Sequence, residues 1–104
     1  MPHLVIDPIV ASSAIVMALQ QIVSRRINPL SGGVVSVTYL EGGGGSFNVI
    51  PGGVTMKGTV RSMTTEGLRA IMTHVEDVVS TTALAYGCNA TTSWSPDCKY
   101  GMVR

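Results

Sequence analysis

The sequence predicts an α+β domain of the ferredoxin-like kind, a two-layer sandwich with two helices on one face of an antiparallel sheet. Two segments repeat apolar residues with the period of a helix, and three others show the alternation or the β-branched residues of strands. They follow one another in the order helix, strand, strand, helix, strand. This order matches the ferredoxin-like plan with its first strand missing from the chain.

The first predicted helix begins at Asp7 and Pro8, because aspartate can cap free N–H groups and proline suits the first helical position. Arg25 and Arg26 would lie near its end, where the helix dipole favours cations, and the Asn-Pro pair at 28–29 ends it. Its apolar stripe is predicted to contain Ala11, Ile15, Ala18, Leu19 and Ile22.

Two strands are predicted next, over residues 34–40 and 54–62, with the glycine run at 42–45 ending the first. Simple alternation predicts one face of the first strand with Val35, Val37 and Tyr39, and the other with Ser36 and Thr38. The second strand is predicted to pack one face on the helices, with Val54, Met56, Gly58 and Val60. Its other face is predicted to be polar, with Thr55, Lys57, Thr59 and Arg61.

The second predicted helix is capped by Thr64 or Thr65, and Gly87 supplies its left-handed end. A last short strand is predicted over residues 89–94, followed by an irregular tail beyond Pro96. The stripe of the second helix consists of Leu68, Ile71, Met72, Val75, Val78 and Val79.

The missing first strand leaves a gap in the predicted sheet. In the ferredoxin-like plan this strand lies between the strands at 54–62 and 89–94, which run in the same direction. Those two strands therefore cannot close up as an antiparallel pair. We expect that residues upstream of Met1 fill the gap, or that pairing, swapping or local rearrangement of the chain does so.

The length, composition and charge of the chain limit the classes of function that it can have. The 104 residues suffice for one domain with a single modest core, and a formal net charge of +1 gives no reason to expect a nucleic-acid partner. The longest apolar run, at 14–19, is too short to span a membrane, so a soluble protein without a membrane partner is expected. The sequence opens without a secretory signal, which leaves the compartment open and favours the cytoplasm slightly.

No catalytic constellation is evident. His3 and His74 have no serine or cysteine placed to pair with them, and His74 is expected to face solvent from the second helix. The acidic residues are scattered, so neither a metal site nor a catalytic residue is predicted. Cys88 and Cys98 lack the spacing of a metal site, and free thiols are favoured over a bridge.

Asn48 and Arg61 are the candidate binding residues. Asn48 lies in a turn-rich segment, and Arg61 lies on the polar face of the second strand. An amide offers a paired donor and acceptor, and a guanidinium is a planar fork that fits a carboxylate, so together they could hold an amide and a carboxylate. The residues alone favour the alternative that Asn48 shapes a turn and Arg61 is a solvated strand residue.

Four motifs lie within the first 61 residues: MPHLVIDP at 1–8, IVSR at 22–25 with PL at 29–30, FNVIP at 47–51 and KGTVR at 57–61. In this order and spacing they resemble the lid (dimerisation) domain of the zinc-dependent aminoacylase and carboxypeptidase amidohydrolases. That family includes hippurate hydrolase and the plant indole-acetyl-amino-acid hydrolases.

The resemblance implies that residues 1–104 are a lid whose catalytic domain, with two zinc or related divalent ions, is not in this chain. No cofactor is then expected in the chain itself. Asn48 and Arg61 match lid residues that reach the carbonyl and carboxylate region of an N-acyl amino acid substrate, often in the partner subunit's site. His3 matches a histidine of less clear function, so no oxyanion role is transferred to it.

The leading hypothesis is a substrate-binding and dimerisation lid of a metal-dependent amidohydrolase that cleaves N-acyl amino acids or related peptides. The isolated chain is then expected to be inactive and to form a homodimer. The alternative is a free-standing ferredoxin-like dimer that binds a small ligand or regulates another protein. A third hypothesis is a pseudo-enzyme fragment that acts only in dimerisation.

Overall fold

The computed structural model describes residues 7–22, 33–42, 52–95 and 99–103. Two helices and four antiparallel strands form an α+β two-layer sandwich, which confirms the predicted ferredoxin-like class. The elements are α1 (Pro8–Gln21), β1 (Val34–Glu41), β2 (Val54–Arg61), α2 (Thr65–Ala85), β3 (Ala90–Trp94) and β4 (Lys99–Val103).

Helix α1 begins where the sequence predicts. The carboxylate of Asp7 accepts hydrogen bonds from the backbone N–H groups of Ile9 at 2.9 Å and Val10 at 3.4 Å. Within the described residues the helix ends at Gln21, and the predicted end at 28–29 lies outside them. The predicted stripe is confirmed by the buried side chains of Ala11, Ile15, Leu19 and Ile22.

Helix α2 has the predicted cap at each end. The hydroxyl of Thr64 accepts a hydrogen bond from the backbone N–H of Gly67 at 2.9 Å. At the other end Gly87 adopts a φ of 76°, and the N–H of Cys88 bonds back to the carbonyl of Ala83 at 2.8 Å. This is the Schellman arrangement, which requires a left-handed residue and so favours glycine.

The sheet has the strand order β1-β2-β4-β3, and β4 is antiparallel to both of its neighbours. Strands β2 and β3 therefore run in the same direction, as predicted, and β4 fills the gap between them. The predicted irregular tail beyond Pro96 is wrong, because residues 99–103 form this strand. Strand β4 pairs the N–H and C=O groups on the facing edges of β2 and β3, which would otherwise be open edges of the sheet.

The core lies between the sheet and the helices. Helix α1 contacts β1, and α2 contacts β3, while the two helices also contact each other. The buried apolar side chains come from both layers, and they include Ile15 and Ile22 of the α1 region, Val54 and Met56 of β2, and Ile71 and Val79 of α2. Neither helix of the described residues is long and apolar enough to cross a membrane.

A β-bulge interrupts β1. Val37 pairs with Gly58, but the next pair joins Tyr39 to Lys57, so Thr38 is the extra residue. An extra residue moves every later side chain to the opposite face of the sheet. Tyr39 therefore shares the polar face with Lys57, and the prediction that it shares a face with Val35 and Val37 is wrong.

Candidate functional site

Arg61 lies at the end of β2, on the face of the sheet that points away from the helices. Its side chain is exposed, whereas Val54 and Met56 on the opposite face of the same strand are 2% and 5% exposed. The residue directly opposite Arg61 on β1 is Val34, which carries no charge. The strand thus fixes the Arg61 backbone while its guanidinium extends into solvent.

Lys57 lies on the same face, four residues before Arg61. Four residues of a strand span about 13 Å, so the two cations mark the ends of one polar strip along β2. The Lys57 Nζ atom lies 5.1 Å from the centroid of the Tyr39 ring, within the range of a cation–π interaction. The bulge in β1 is what brings Tyr39 to this position.

Glu41 completes a small cluster with Tyr39 and Lys57. Hydrogen bonding to the Glu41 carboxylate raises the pKa of Tyr39 above its ordinary value, and desolvation and the negative charge of Glu41 add smaller contributions in the same direction. The Lys57 end of the strip therefore has a carboxylate nearby, and the uncharged Val34 lies opposite the Arg61 end.

The sequence contained a signal for this cluster that simple alternation missed. A β-carbon added at Gly58 would lie 2.2 Å from the carbonyl oxygen of Ser36, so the β1 backbone approaches Gly58 too closely for any side chain. A glycine within a strand pattern often marks a bulge or a close backbone approach. Gly58 thus points to the bulge that moves Tyr39 onto the polar face.

The other candidate residues are placed as follows. Asn48 and His3 lie outside the described residues, so the structure does not relate either of them to Arg61. His74 is partly buried, and its Nδ1 atom is buried without a hydrogen-bond partner among the described residues. The prediction that His74 faces solvent is therefore wrong, because α2 packs this side chain partly against the fold.

Two further observations concern metals and thiols. Among the residues that the structure describes, no three or more His, Cys, Asp or Glu side chains come together as a metal site. Cys88 is a free, buried thiol, and Cys98 lies outside the described residues.

Comparison with known proteins identifies relatives for most of the chain. It is 42% identical over 96 residues to IAA-amino acid hydrolase ILR1-like 2 of Arabidopsis thaliana, covering 92% of this chain and 21% of that protein. It is 49% identical over 84 residues to N-acetyldiaminopimelate deacetylase of Leuconostoc mesenteroides, covering 81% of this chain and 22% of that protein.

A third relative is the N-acetylcysteine deacetylase of Bacillus subtilis, which is 41% identical over 95 residues, 91% of this chain and 25% of that protein. The chain thus spans about a fifth to a quarter of the length of these relatives. A family profile described as the peptidase dimerisation domain matches residues 1–87. The chain therefore belongs to the peptidase dimerisation domain family, whose members here are parts of hydrolases and deacetylases.

Proposed function

We propose that this domain is the substrate-binding and dimerisation lid of a metal-dependent amidohydrolase that cleaves N-acyl amino acids or related amides. The observation that carries the proposal is the position of Arg61, an exposed guanidinium on the polar face of a strand whose other face is buried in the core. Of three relatives with matching sequence, one is named an IAA-amino acid hydrolase and two are named deacetylases of N-acetyl compounds.

Arg61 suits the recognition of a substrate carboxylate. Its planar guanidinium can donate two parallel hydrogen bonds to a carboxylate, and β1 pairs with β2 through to Arg61, so its backbone is held in place. Asn48 is proposed as the second binding residue, with its amide bonding to the carbonyl region of the substrate. Neither role requires this domain to perform a catalytic step.

Hydrolysis itself is assigned to another domain. A divalent ion supplies a nucleophilic water and polarises a carbonyl in such reactions, but the described residues offer no metal site. The isolated chain is accordingly expected to show no turnover of an N-acyl amino acid, even with added zinc. Its contribution is to orient the substrate through Arg61 and Asn48.

The Arg61 role is tested by substitution in an enzyme that carries this domain. Replacing Arg61 with Ala is expected to raise KM for an N-acetyl amino acid by about tenfold to a hundredfold, because a charge-assisted pair is lost. Arg61→Lys keeps the charge and loses the planar fork, so it should recover only part of the affinity. The matched control is a substrate with its carboxylate replaced by an amide.

For the amide substrate, Arg61→Ala and the wild type should have similar KM values. An unchanged KM for the carboxylate substrate would instead support the alternative that Arg61 is a solvated strand residue.

Dimerisation is proposed to use the side of the domain formed by β1 and α1. Within the described residues β1 pairs with β2 alone, so its outer edge is open to a second strand. Helix α1 contacts β1 and has no charged residue between Pro8 and Gln21. Its exposed side includes Ile9, Val10 and Met17, and a second copy would cover this apolar surface.

Substituting Met17 with Glu tests this interface. Met17 is 71% exposed, so the change should leave the fold intact while placing a charge in the proposed interface. Light scattering after size-exclusion chromatography is expected to show a dimer for the wild type and a monomer for Met17→Glu. The control is Met63→Glu, because Met63 is 82% exposed and lies between β2 and α2. A wild-type monomer would contradict the proposed homodimer.

A second candidate function is a free-standing dimer that binds a small ligand on the polar face of the sheet. The cluster of Tyr39, Glu41 and Lys57 favours it, because these side chains present a cation, a phenol and a carboxylate close together. The gene sequence upstream of Met1 separates the two functions. A metal-binding domain encoded there would exclude the free-standing module.

A further inference from the structure

Asn89 begins a tripeptide that has the form of an N-glycosylation acceptor, in which asparagine is followed by any residue except proline and then by serine or threonine. Asn28 is followed by proline, and Asn48 has isoleucine two residues later, so neither of them meets this rule. In the sequence Asn-Ala-Thr at 89–91 both conditions are met. Because such tripeptides also occur by chance, the position in the fold decides whether this one can be modified.

The fold places this tripeptide on the surface. Asn89 lies in the connection between Gly87, which ends α2, and Ala90, the first residue of β3. The side chains of Asn89 and Thr91 are exposed, whereas Ala90 between them is half-buried. Residues two apart along an extended chain point to the same side, so solvent reaches the Asn89 amide and the Thr91 hydroxyl from one direction.

The structure does not assign Asn89 another task. Asparagine is sometimes the left-handed residue that ends a helix, but at the end of α2 this residue is Gly87, with a φ of 76°. The hydrogen bond that closes the turn comes from the backbone N–H of Cys88 to the carbonyl of Ala83. Within the part of the chain that the structure describes, no hydrogen bond engages the side chain of Asn89 or of Thr91.

A group attached to Asn89 would lie far from Arg61. Ala90 of β3 and Val54 of β2 both pair with Val103 of β4, so Asn89 is level with the start of β2. Arg61 is the last residue of β2, seven residues further along, which corresponds to about 23 Å. A modification at Asn89 would therefore extend from the end of the sheet opposite to Arg61.

Strand β3 is an edge of the sheet without the usual protection. Within the described residues it pairs with β4 alone, so its outer edge is open. Its sequence, ATTSW, contains two β-branched threonines and neither a charged residue nor proline, so it suits pairing with another strand. The other edge strand, β1, has a bulge and ends at the charged Glu41. A bulky hydrated group on the residue before β3 would obstruct a strand that approaches this edge.

We propose that Asn89 carries an N-linked oligosaccharide and that this glycan shields the outer edge of β3. The Nδ2 atom of Asn89 forms a bond with C1 of the first sugar of a lipid-pyrophosphate-linked oligosaccharide, and the bond from that carbon to the pyrophosphate oxygen breaks. The lipid pyrophosphate leaves with the electron pair of that bond, and the amide gives one proton to a base of the transferase. The inference does not depend on the amidohydrolase role, and it requires that the protein enters a compartment that holds this donor.

Mass spectrometry of the whole protein that contains this domain, purified from its own cells, tests the modification. Trypsin should release residues 70–99 as one peptide, which contains Asn89. Treatment with peptide N-glycosidase in heavy-oxygen water should convert Asn89 to an aspartate that carries the heavy oxygen. A peptide 70–99 with unmodified asparagine before treatment would overturn the proposal, and this is also the result for a protein that never meets the donor.

Two substitutions of Thr91 provide matched variants. Thr91→Ser keeps the acceptor tripeptide, and Thr91→Val keeps the β-branched shape but removes the hydroxyl. In the whole protein, made in the same cells, the wild type and Thr91→Ser should lose apparent mass on treatment with the glycosidase, and Thr91→Val should not. A loss for Thr91→Val equal to that of the wild type would locate the glycan elsewhere and overturn the assignment.

Asn89→Gln tests the shielding of β3. Glutamine keeps an exposed polar side chain but cannot accept the glycan, so light scattering should show species larger than the wild type. Adding Ser93→Lys should restore the wild-type size, because Ser93 is exposed on β3 and lysine discourages pairing at a sheet edge. Equal sizes for the wild type and Asn89→Gln would overturn the shielding role, as would larger species that persist with Ser93→Lys.

Discussion

The two halves of the sheet are built differently. Strands β1 and β2 are eight residues long, and their pairing runs from Val34 opposite Arg61 to Glu41 opposite Thr55. Strands β3 and β4 are five residues long and pair over those five positions only. The first half carries the bulge and the charged strip, and residues of both halves line an apolar cavity between the sheet and the helices.

The two halves are held together in different ways. In the first half the close approach of the β1 backbone to Gly58 fixes the pairing register of β1 and β2, and the bulge in β1 places Tyr39 beside Lys57. In the second half a side-chain hydrogen bond joins β3 to α2, because the Nε1–H of Trp94 donates to the Glu76 carboxylate at 2.5 Å. The first half thus depends on backbone fit, and the second depends on side chains.

Gly58→Ala should disrupt the pairing of β1 with β2, and of these substitutions it should have the largest effect on stability. The new β-carbon would lie 2.2 Å from the Ser36 carbonyl oxygen and 3.2 Å from the Val37 Cα atom, so the β1 backbone must move. A loss of about 2 to 3 kcal/mol of unfolding free energy is expected. Urea denaturation followed by far-UV circular dichroism measures it.

Gly52→Ala is the matched control for this substitution. A β-carbon at Gly52 would meet nothing within 4 Å, so its effect should stay within about 0.5 kcal/mol. Similar losses for the two variants would show that glycine flexibility, and not the contact with β1, sets the cost at Gly58.

The sequence predicted most of this fold because its signals are local. Asp7, Thr64 and Gly87 act within a few residues of the helix ends that they define, and the apolar stripe of α2 reports directly on burial. The bulge and β4 depend on contacts that are distant in sequence. Alternation alone could not place Tyr39, and the ordering of Lys99–Val103 depends on the open edges of β2 and β3.

The same distinction between local signals and information from outside the local pattern applies to the candidate site. The alternation of β2 was enough to place Arg61 on the polar face, because that strand has no bulge of its own. A binding role for Asn48 and Arg61 came from the resemblance, since a turn asparagine and a strand arginine are common without any ligand. That role stays a prediction, which the Arg61 substitutions test.

Removing the contact between Trp94 and Glu76 in the second half should have an intermediate effect on stability. Trp94→Phe removes the N–H donor and leaves a smaller ring beside the cavity. A double-mutant cycle with Glu76→Ala is expected to give a coupling of about 1 kcal/mol, the contribution of one hydrogen bond near the surface. Additive effects in urea denaturation would show that this contact does not hold β3 against α2.

Removing the Tyr39 hydroxyl should have the smallest effect on stability. The pH dependence of this effect should be confined to high pH. Because the pKa of Tyr39 is raised in the folded state, its interaction with Glu41 stabilises the fold fully below the unfolded pKa of about 10. That contribution is lost as the pH rises through the folded pKa. The stability difference between wild type and Tyr39→Phe should therefore be constant well below pH 10 and should shrink as the pH rises above about 10.

Glu41→Gln removes the negative charge and should lower the pKa of Tyr39 in an NMR titration of its ring. If the pKa does not fall, Glu41 is not the cause of the shift. The bulge would then place Tyr39 beside Lys57 without coupling it to the carboxylate, and the cluster would be a cation–π pair alone.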